Sequence, residues 1–545
     1  MHYPFLNMHD IWGIIFNLQF FLWLKIICLK TSSDFLWRLI QTLSSSEKLF
    51  FKRNFSSGQP ATQRLYLKLF DAIAAQKKYN EAAIIEKFSP GLTKKNMAFQ
   101  KHYLHRQLCD ALLLYESQHN SGHDIYRQVQ LVRLYRRKGL PDEAHHIWKK
   151  AVIHARQSES FALLNMLKTE FEKMVLYSSP HTKYDELHSV FSNNLIPYDE
   201  YAEMITLRDI YTETLLLKRK AHYDIDDELK KKITRLLRRV NNCTPHTRSR
   251  SFWYGHYYRM NKATLLYLLG NISGSLQLLQ DVLSDWRKNS SFISTHGEYY
   301  TELMYMINYA GILHGSYKYV ADAFSDPLND LIGEPVQRAN FEAIKYLALN
   351  KIYNKTARYA EVKKLVSFMK SQYHTWEPML NADLNRTANL SLAIASFALE
   401  QFGDALFFAK RGITYFKDGV REEHEAAAQI LLLLTTYCLN NARLFDAQYR
   451  ATYNYFYKRK KKHPFETALV QCLHRTFYMT DGKQKIVVYQ KALDVFELHK
   501  DDVVQQMAFS IFNYPAWLMS KVQRISYRQY VEMKVKEGTA GLSVV

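Results

Sequence analysis

The stretch His119-Asn120-Ser121-Gly122-His123-Asp124 gathers two imidazoles and a carboxylate, donor types that can hold zinc. Its Asn-Ser-Gly centre reads as a loop, however, and no further ligand stands nearby to complete a tetrahedral set. His424-Glu425 begins like a zinc-protease helix, yet Ala428 occupies the position where a second histidine would have to return one turn later. His102 and His105 share a helix face without a third donor. No GxGxxG, GxxxxGK[ST] or GxSxG run occurs, so neither a phosphate cradle nor a nucleophile elbow is written in the chain. No catalytic, cofactor-binding or metal residue is therefore assigned. An enzyme could arise only from residues too distant in sequence to recognise as a set.

Charge carries more information. The chain has 73 Lys plus Arg against 52 Asp plus Glu, a formal net charge of +21, and the excess is clustered. Between Lys218 and Arg250 eleven basic residues meet only Asp224, Asp226, Asp227 and Glu228. On a helix beginning after that acidic step, Lys231, Arg235 and Arg238 fall on one face and Leu229, Ile233, Leu236 and Val240 on the opposite one. A second cluster, Lys458, Arg459 and Lys460 with Lys461, Lys462 and His463, follows the aromatic run Tyr453-Asn454-Tyr455-Phe456-Tyr457. Three readings compete for these stripes: a solvated helix face, a contact for an acidic protein or anionic membrane, and a channel for single-stranded nucleic acid. No recognised nucleic-acid motif accompanies them.

These side chains need elements to hold them, and the chain advertises those by a recurring step. Small or apolar residues following a break stand at Ala144, Leu187, Leu229, Ser275, Val320, Val362, Ala405, Ala447 and Ile486, at gaps of 43, 42, 46, 45, 42, 43, 42 and 39 residues. A period of that length is the signature of stacked helical hairpins. With 18 Gly and 12 Pro in 545 residues, long helices can run with few interruptions. The 38 Tyr and 31 Phe supply large rings for seams between helices.

One unit shows the logic. In residues 129–157, Leu131, Val132 and Tyr135 line a first helix, Lys138-Gly139-Leu140-Pro141-Asp142 breaks it, and Ala144, Trp148 and Ala151 line a second. The small residues let the helices approach while Trp148 fills the space between hairpins. The pattern returns as Tyr353 with Tyr359 and Val362, as Phe402 with Ala405 and Ala409, and as Ala447 with Ala451. It resembles the tetratricopeptide repeat, over roughly residues 125 to 500. That resemblance implies an all-α solenoid of stacked antiparallel hairpins presenting a concave groove to a partner peptide or helix. The gaps exceed the family's 34 residues and several units lack its glycine and proline, which calls for longer helices or loops. The start SSSEKLFFKRNF followed by such an array is also similar to uncharacterised bacterial proteins, a likeness that implies no activity.

The ends differ from the middle. Residues 11–29, IWGIIFNLQFFLWLKIICL, form an apolar stretch barely long enough to cross a bilayer, with basic residues following it. The expected layout is an apolar helix over 1–31 (membrane anchor, upstream extension or docked helix), a helical cap over 32–117, the array over 118–500 and a C-terminal cap with a flexible tail over 501–545. Within the cap, Ser44 and Glu47 have the spacing of a capping box, starting a helix that presses Leu49, Phe50 and Phe51 inward. Five scattered cysteines without CxxC suggest a reducing compartment, hence the cytoplasm, free or anchored through residues 11–29. The expected role is a non-catalytic interaction scaffold without a cofactor, with nucleic-acid binding as the alternative.

Overall fold

The computed structural model describes residues 34–56, 63–119, 121–177, 198–220, 226–243, 251–415, 422–459 and 463–538. Among these residues every regular element is helical, and no strand occurs. The apolar stretch 11–29 and Leu187 lie outside them. No helix among the described residues is long and apolar enough to cross a membrane. The chain divides into two compact units, Met1–Asn193 and Asn194–Val545.

In the first unit the reciprocal capping box forms: the Ser44 hydroxyl accepts from the Glu47 amide at 3.2 Å, and the Glu47 carboxylate accepts from the Ser44 amide at 2.7 Å. The helix Ser45–Ser56 that follows buries Phe51 completely against Leu69, Phe70 and Ile73, but Leu49 points outward. Lys94–His119 and Ser121–Arg137 are both helical, so His123 and Asp124 lie in the first turn of a helix where the sequence reads as a loop; Asn120 lies outside the described residues. Ser121–Arg137, Pro141–Gln157 and Phe161–Tyr177 pack on one another. Trp148 lies fully buried at their seam, stacked 5.1 Å from Phe171, its indole donating to the Leu167 carbonyl at 2.9 Å. Beside it the buried Glu170 accepts from Arg133 at 2.8 Å and Lys173 at 3.3 Å. Burial alone would raise that carboxyl's pKa; the two cations outweigh it and hold the group below the usual carboxylate value.

The second unit is the solenoid. Its hairpins pair Phe252–Leu268 with Ile272–Lys288, Gly297–Leu313 with Tyr317–Phe324, Pro335–Lys355 with Tyr359–Trp376, Ala382–Ala398 with Phe402–Ile413, Glu422–Cys438 with Ala442–Lys458, and Pro464–Tyr478 with Gly482–Leu498. Successive first helices also touch, from Tyr198–Lys220 through to Pro464–Tyr478. Side-chain amides tie some of them together: Asn261 donates to the Leu207 carbonyl at 2.8 Å, and Asn350 to the Ser391 carbonyl at 3.1 Å. Both amides are buried and would be destabilising without those partners.

The repeated step has a definite cause. Each of five first helices ends on a residue with positive φ, namely Gly270, Gly315, Ala357, Glu400 and Asn440, and the second helix begins two residues later. In the first four turns the next amide donates back five residues, as from Asn271 to Leu266 at 2.9 Å and from Gln401 to Ser396 at 2.8 Å. These are left-handed helix stops that reuse the orphan carbonyls of the last turn. Gly139 forms the same stop in the first unit. The fourth residue of each following helix then points straight into the core: Ala144, Ser275, Val320, Val362, Ala405 and Phe445 are all fully buried. Ala447 is exposed, which corrects its assignment as a packing residue. The buried position of Ala442–Lys458 is Phe445, because Asn440 sets the turn two residues earlier than the Ala447 register requires.

Residues 501–538 do more than cap the last hairpin. Helices Val503–Ile511, Tyr514–Val522 and Tyr527–Lys536 turn back along the array. Phe509 meets Phe465 of the last hairpin at 5.5 Å, Trp517 meets Tyr437 at 5.7 Å, Phe512 meets Phe397 at 5.3 Å, and the Arg528 guanidinium lies over Tyr359 at 5.2 Å. One continuous core therefore joins Tyr359 to Val531.

Candidate functional site

The basic stripe rests on helix Asp227–Asn242. Asp226 caps it, its carboxylate accepting from the Leu229 amide at 2.8 Å, and Asp227 and Glu228 add negative charge to the first turn where the helix dipole favours it. Ile233, Leu236 and Val240 are buried, Leu229 half-buried, and the helix packs on Tyr198–Lys220 and Phe252–Leu268. Lys231, Arg235 and Arg238 stand exposed on the other side. At spacings of four and three they cover roughly 10 Å of one helix face. Two of their neighbours behave differently. Arg239 pairs with Glu213 at 3.0 Å and Lys230 with Asp227 at 3.8 Å, whereas none of the three stripe residues has an ion pair with a described carboxylate.

The second cluster does not hold together as a surface. Lys458 is exposed, but Arg459 is largely withdrawn from solvent: its guanidinium pairs with Glu466 at 2.9 Å and lies near the Tyr455 and Phe456 rings. Glu466 in turn accepts from the His463 amide at 3.4 Å. Burial pushes the Glu466 carboxyl up, against the pull of Arg459. Arg459 thus locks the turn between Ala442–Lys458 and Pro464–Tyr478, and its assignment as a partner-binding residue is corrected on that ground. Lys460 lies outside the described residues.

What the cluster does present is aromatic. Tyr449, Tyr453 and Tyr457 climb one face of Ala442–Lys458 with ring centroids 6.1 and 6.2 Å apart, the last two nearly parallel at 16°. Tyr449 is anchored on His474 at 4.1 Å, while Tyr453 and Tyr457 are exposed beside Arg450 and Lys458.

Among the other residues singled out from sequence, Ala144, Trp148, Ala151 and Ala405 lie in the core, and Tyr135 and Tyr353 are half-buried. Tyr353 receives the Arg358 guanidinium over its ring at 4.8 Å. His105 sits 3.5 Å from the Cys109 sulfur and against Phe35, in a packing role. No group of three or more His, Cys, Asp or Glu among the described residues is arranged to hold a metal ion. Burial pushes the Cys438 thiol up to about 11 and Cys472 to about 12, leaving little thiolate at neutral pH.

Sequence reasoning passed over His256. It is buried inside a box of rings from four helices, including Trp253, Tyr211, Trp286 and Tyr299, and its Nδ1 accepts from the Trp286 indole at 3.3 Å. That bond leaves the proton on Nε2, which has no hydrogen-bond partner. Burial, reinforced by Arg259 and His296, pulls the imidazole down to about 3. Only the aromatic density of Phe252-Trp253-Tyr254 and Tyr257-Tyr258 hinted at this box.

No protein-family model and no curated protein matches the chain. Among solved structures, the apo form of the quorum sensor NprR from B. thuringiensis is similar over 71% of this chain and 98% of its own, at 13% identity and a TM-score of 0.39. NprR in complex with its cognate peptide NprX is similar over 70% and 98%, at 10% identity and a TM-score of 0.29. Likeness at that level transfers neither ligand nor activity. The helical-repeat assignment stands on the stacked hairpins themselves.

Proposed function

We propose that the chain is a non-catalytic scaffold that holds an acidic protein or peptide against a preformed helical-repeat surface. The observation that carries this reading lies on helix Asp227–Asn242: its inward groups are buried and Lys230 and Arg239 are paired, while Lys231, Arg235 and Arg238 stay exposed on a rigidly seated face with Lys232 beside them. Three cations fixed on one helix side give an acidic helix or strand a complementary field before contact, which favours fast and selective association. The groove along the first helices is a weaker candidate over residues 359–478, because the returning segment 503–536 already packs on it.

The test is charge reversal. Lys231→Glu, Arg235→Glu and Arg238→Glu together should leave the melting temperature almost unchanged, since surface substitutions shift stability by about 0.5 kcal/mol or less. Affinity capture from the native cell at low and high salt should then lose the salt-sensitive proteins that the unaltered chain retains. An identical captured set would assign the stripe to solvation alone.

The Tyr449–Tyr453–Tyr457 ladder beside Lys458 favours a second reading, in which single-stranded nucleic acid stacks on exposed rings. Filter binding of a single-stranded oligonucleotide across a salt series distinguishes it. Nucleic-acid binding weakens steeply with salt through counterion release, and no retention at low salt rejects it.

A further inference from the structure

The return of residues 503–536 over the array leaves a cavity of about 380 Å³ between the two layers. One wall comes from the repeats, with Tyr317, Asn354, Lys355 and Ile394; the other comes from the C-terminal helices, with Phe509, Phe512, Tyr527 and Tyr530 among its members. The volume lies within the range of small-molecule sites, and the wall mixes rings and aliphatic groups with polar ones such as Asn354, Ser510 and Asn513.

Its charge is one-sided. Lys355 and Lys534 reach the lining, and no Asp or Glu does. Lys534 is engaged with Glu537 at 2.7 Å. Lys355 ends the helix Pro335–Lys355, where the dipole favours a cation, but it is half-buried and no described carboxylate pairs with it. Burial, with Lys351 one turn earlier, holds its ammonium below the ordinary lysine value. A desolvated cation beside rings and aliphatic groups gains most from an anion brought in with its own apolar cover.

We propose that this cavity binds a small organic acid, an apolar aromatic or acyl body ending in a carboxylate, with the carboxylate on Lys355 and the body between Ile394 and the Phe512 and Tyr527 rings. Because the two walls belong to different layers, the bound acid holds residues 503–536 down on the hairpins. The site is separate from the basic stripe and does not depend on the scaffold reading.

Calorimetry on the full chain tests this with octanoate and 3-phenylpropionate, their alcohols octanol and 3-phenylpropanol, and inorganic phosphate. The acids are expected to bind about tenfold or more tightly than the alcohols, as one charge-assisted contact allows. Lys355→Gln should erase that difference and Lys355→Arg should keep most of it. Without ligand, Lys355→Gln should melt no lower than the unaltered chain, because it removes a desolvated charge; a purely structural lysine would give the opposite result. Hydrogen exchange in residues 503–536 should slow when an acid is added. Equal affinity for acid and alcohol, phosphate binding as tightly as the acids, acid binding that survives Lys355→Gln, or unchanged exchange in 503–536 would each overturn the site.

Discussion

The first helices of the second unit bury their exposed face in two different ways. In the stretch from Tyr198 to Leu313 they use each other: Tyr211, Tyr257 and Tyr299 come from three successive helices and meet ring to ring, with Tyr257 and Tyr299 hydroxyls 3.4 Å apart. From Ala382 onward the rings face a different partner, since Phe397 and Tyr437 meet Phe512, Tyr527 and Trp517 from far along the chain. The first arrangement needs only neighbouring repeats. The second closes loops of about a hundred residues, so it depends on contacts that form only when the whole array is in place.

Removing the returning rings should separate these regions most sharply. Phe512→Ala or Trp517→Ala deletes a nearly fully buried ring from the shared core, at a loss of about 3–5 kcal/mol. Hydrogen exchange should then accelerate in residues 335–536 while the Tyr211–Tyr257–Tyr299 region keeps its protection. Equal acceleration in both would mean that they unfold as one cooperative body, and the distinction between them would fail.

Acid should strike the other region first. His256 is neutral in the fold and is pulled down to about 3, whereas an unfolded histidine titrates near 6.5. Between those values the unfolded chain binds a proton that the folded chain refuses, so stability is fully present above pH 6.5 and falls as the pH drops. The loss from this one group is at most about 1.4 kcal/mol per pH unit. His296, lowered by burial beside Trp253, adds to it in the same direction. His256→Phe keeps a ring in the box and removes the unpartnered Nε2, so its melting temperature should depend less on pH between 6 and 4. An unchanged slope would show that other groups govern the acid response.

The same division explains what could be read from sequence. Repeat spacing, the all-α class and the face of Asp227–Asn242 follow from local periodicity, and each is visible in a window of a few dozen residues. Ala447 was misplaced because a small residue at about the right spacing resembles the step, while the actual marker, the left-handed stop at Asn440, has no glycine to announce it. Arg459 was misread because its partner Glu466 lies across a turn, and a run of basic letters does not show which one bends inward. The return of residues 503–536 had only a composition signal, the rings of Phe509, Phe512, Tyr514, Trp517 and Tyr527, richer than a solvent-facing cap requires. Nothing local states where those rings land.

The smallest predicted effect bears on the turns common to both regions. Gly270 and Gly315 stop helices in the first region, while Ala357, Glu400 and Asn440 hold the same left-handed backbone in the second. A side chain in that conformation is strained by roughly 1–2 kcal/mol relative to glycine, less for asparagine. Glycine's greater freedom in the unfolded chain returns about 0.5–1 kcal/mol of that. Ala357→Gly and Glu400→Gly should therefore each stabilise by about 1 kcal/mol or somewhat less, with Asn440→Gly nearer zero. Gly270→Ala and Gly315→Ala should lose a similar amount, although a Cβ at either position would meet nothing within 4 Å, so the penalty is in the backbone alone. Glu400→Ala serves as the control: it keeps a Cβ in the left-handed turn and should bring no gain in melting temperature. A gain equal to that of Glu400→Gly would trace the effect to the lost carboxylate and away from the turn.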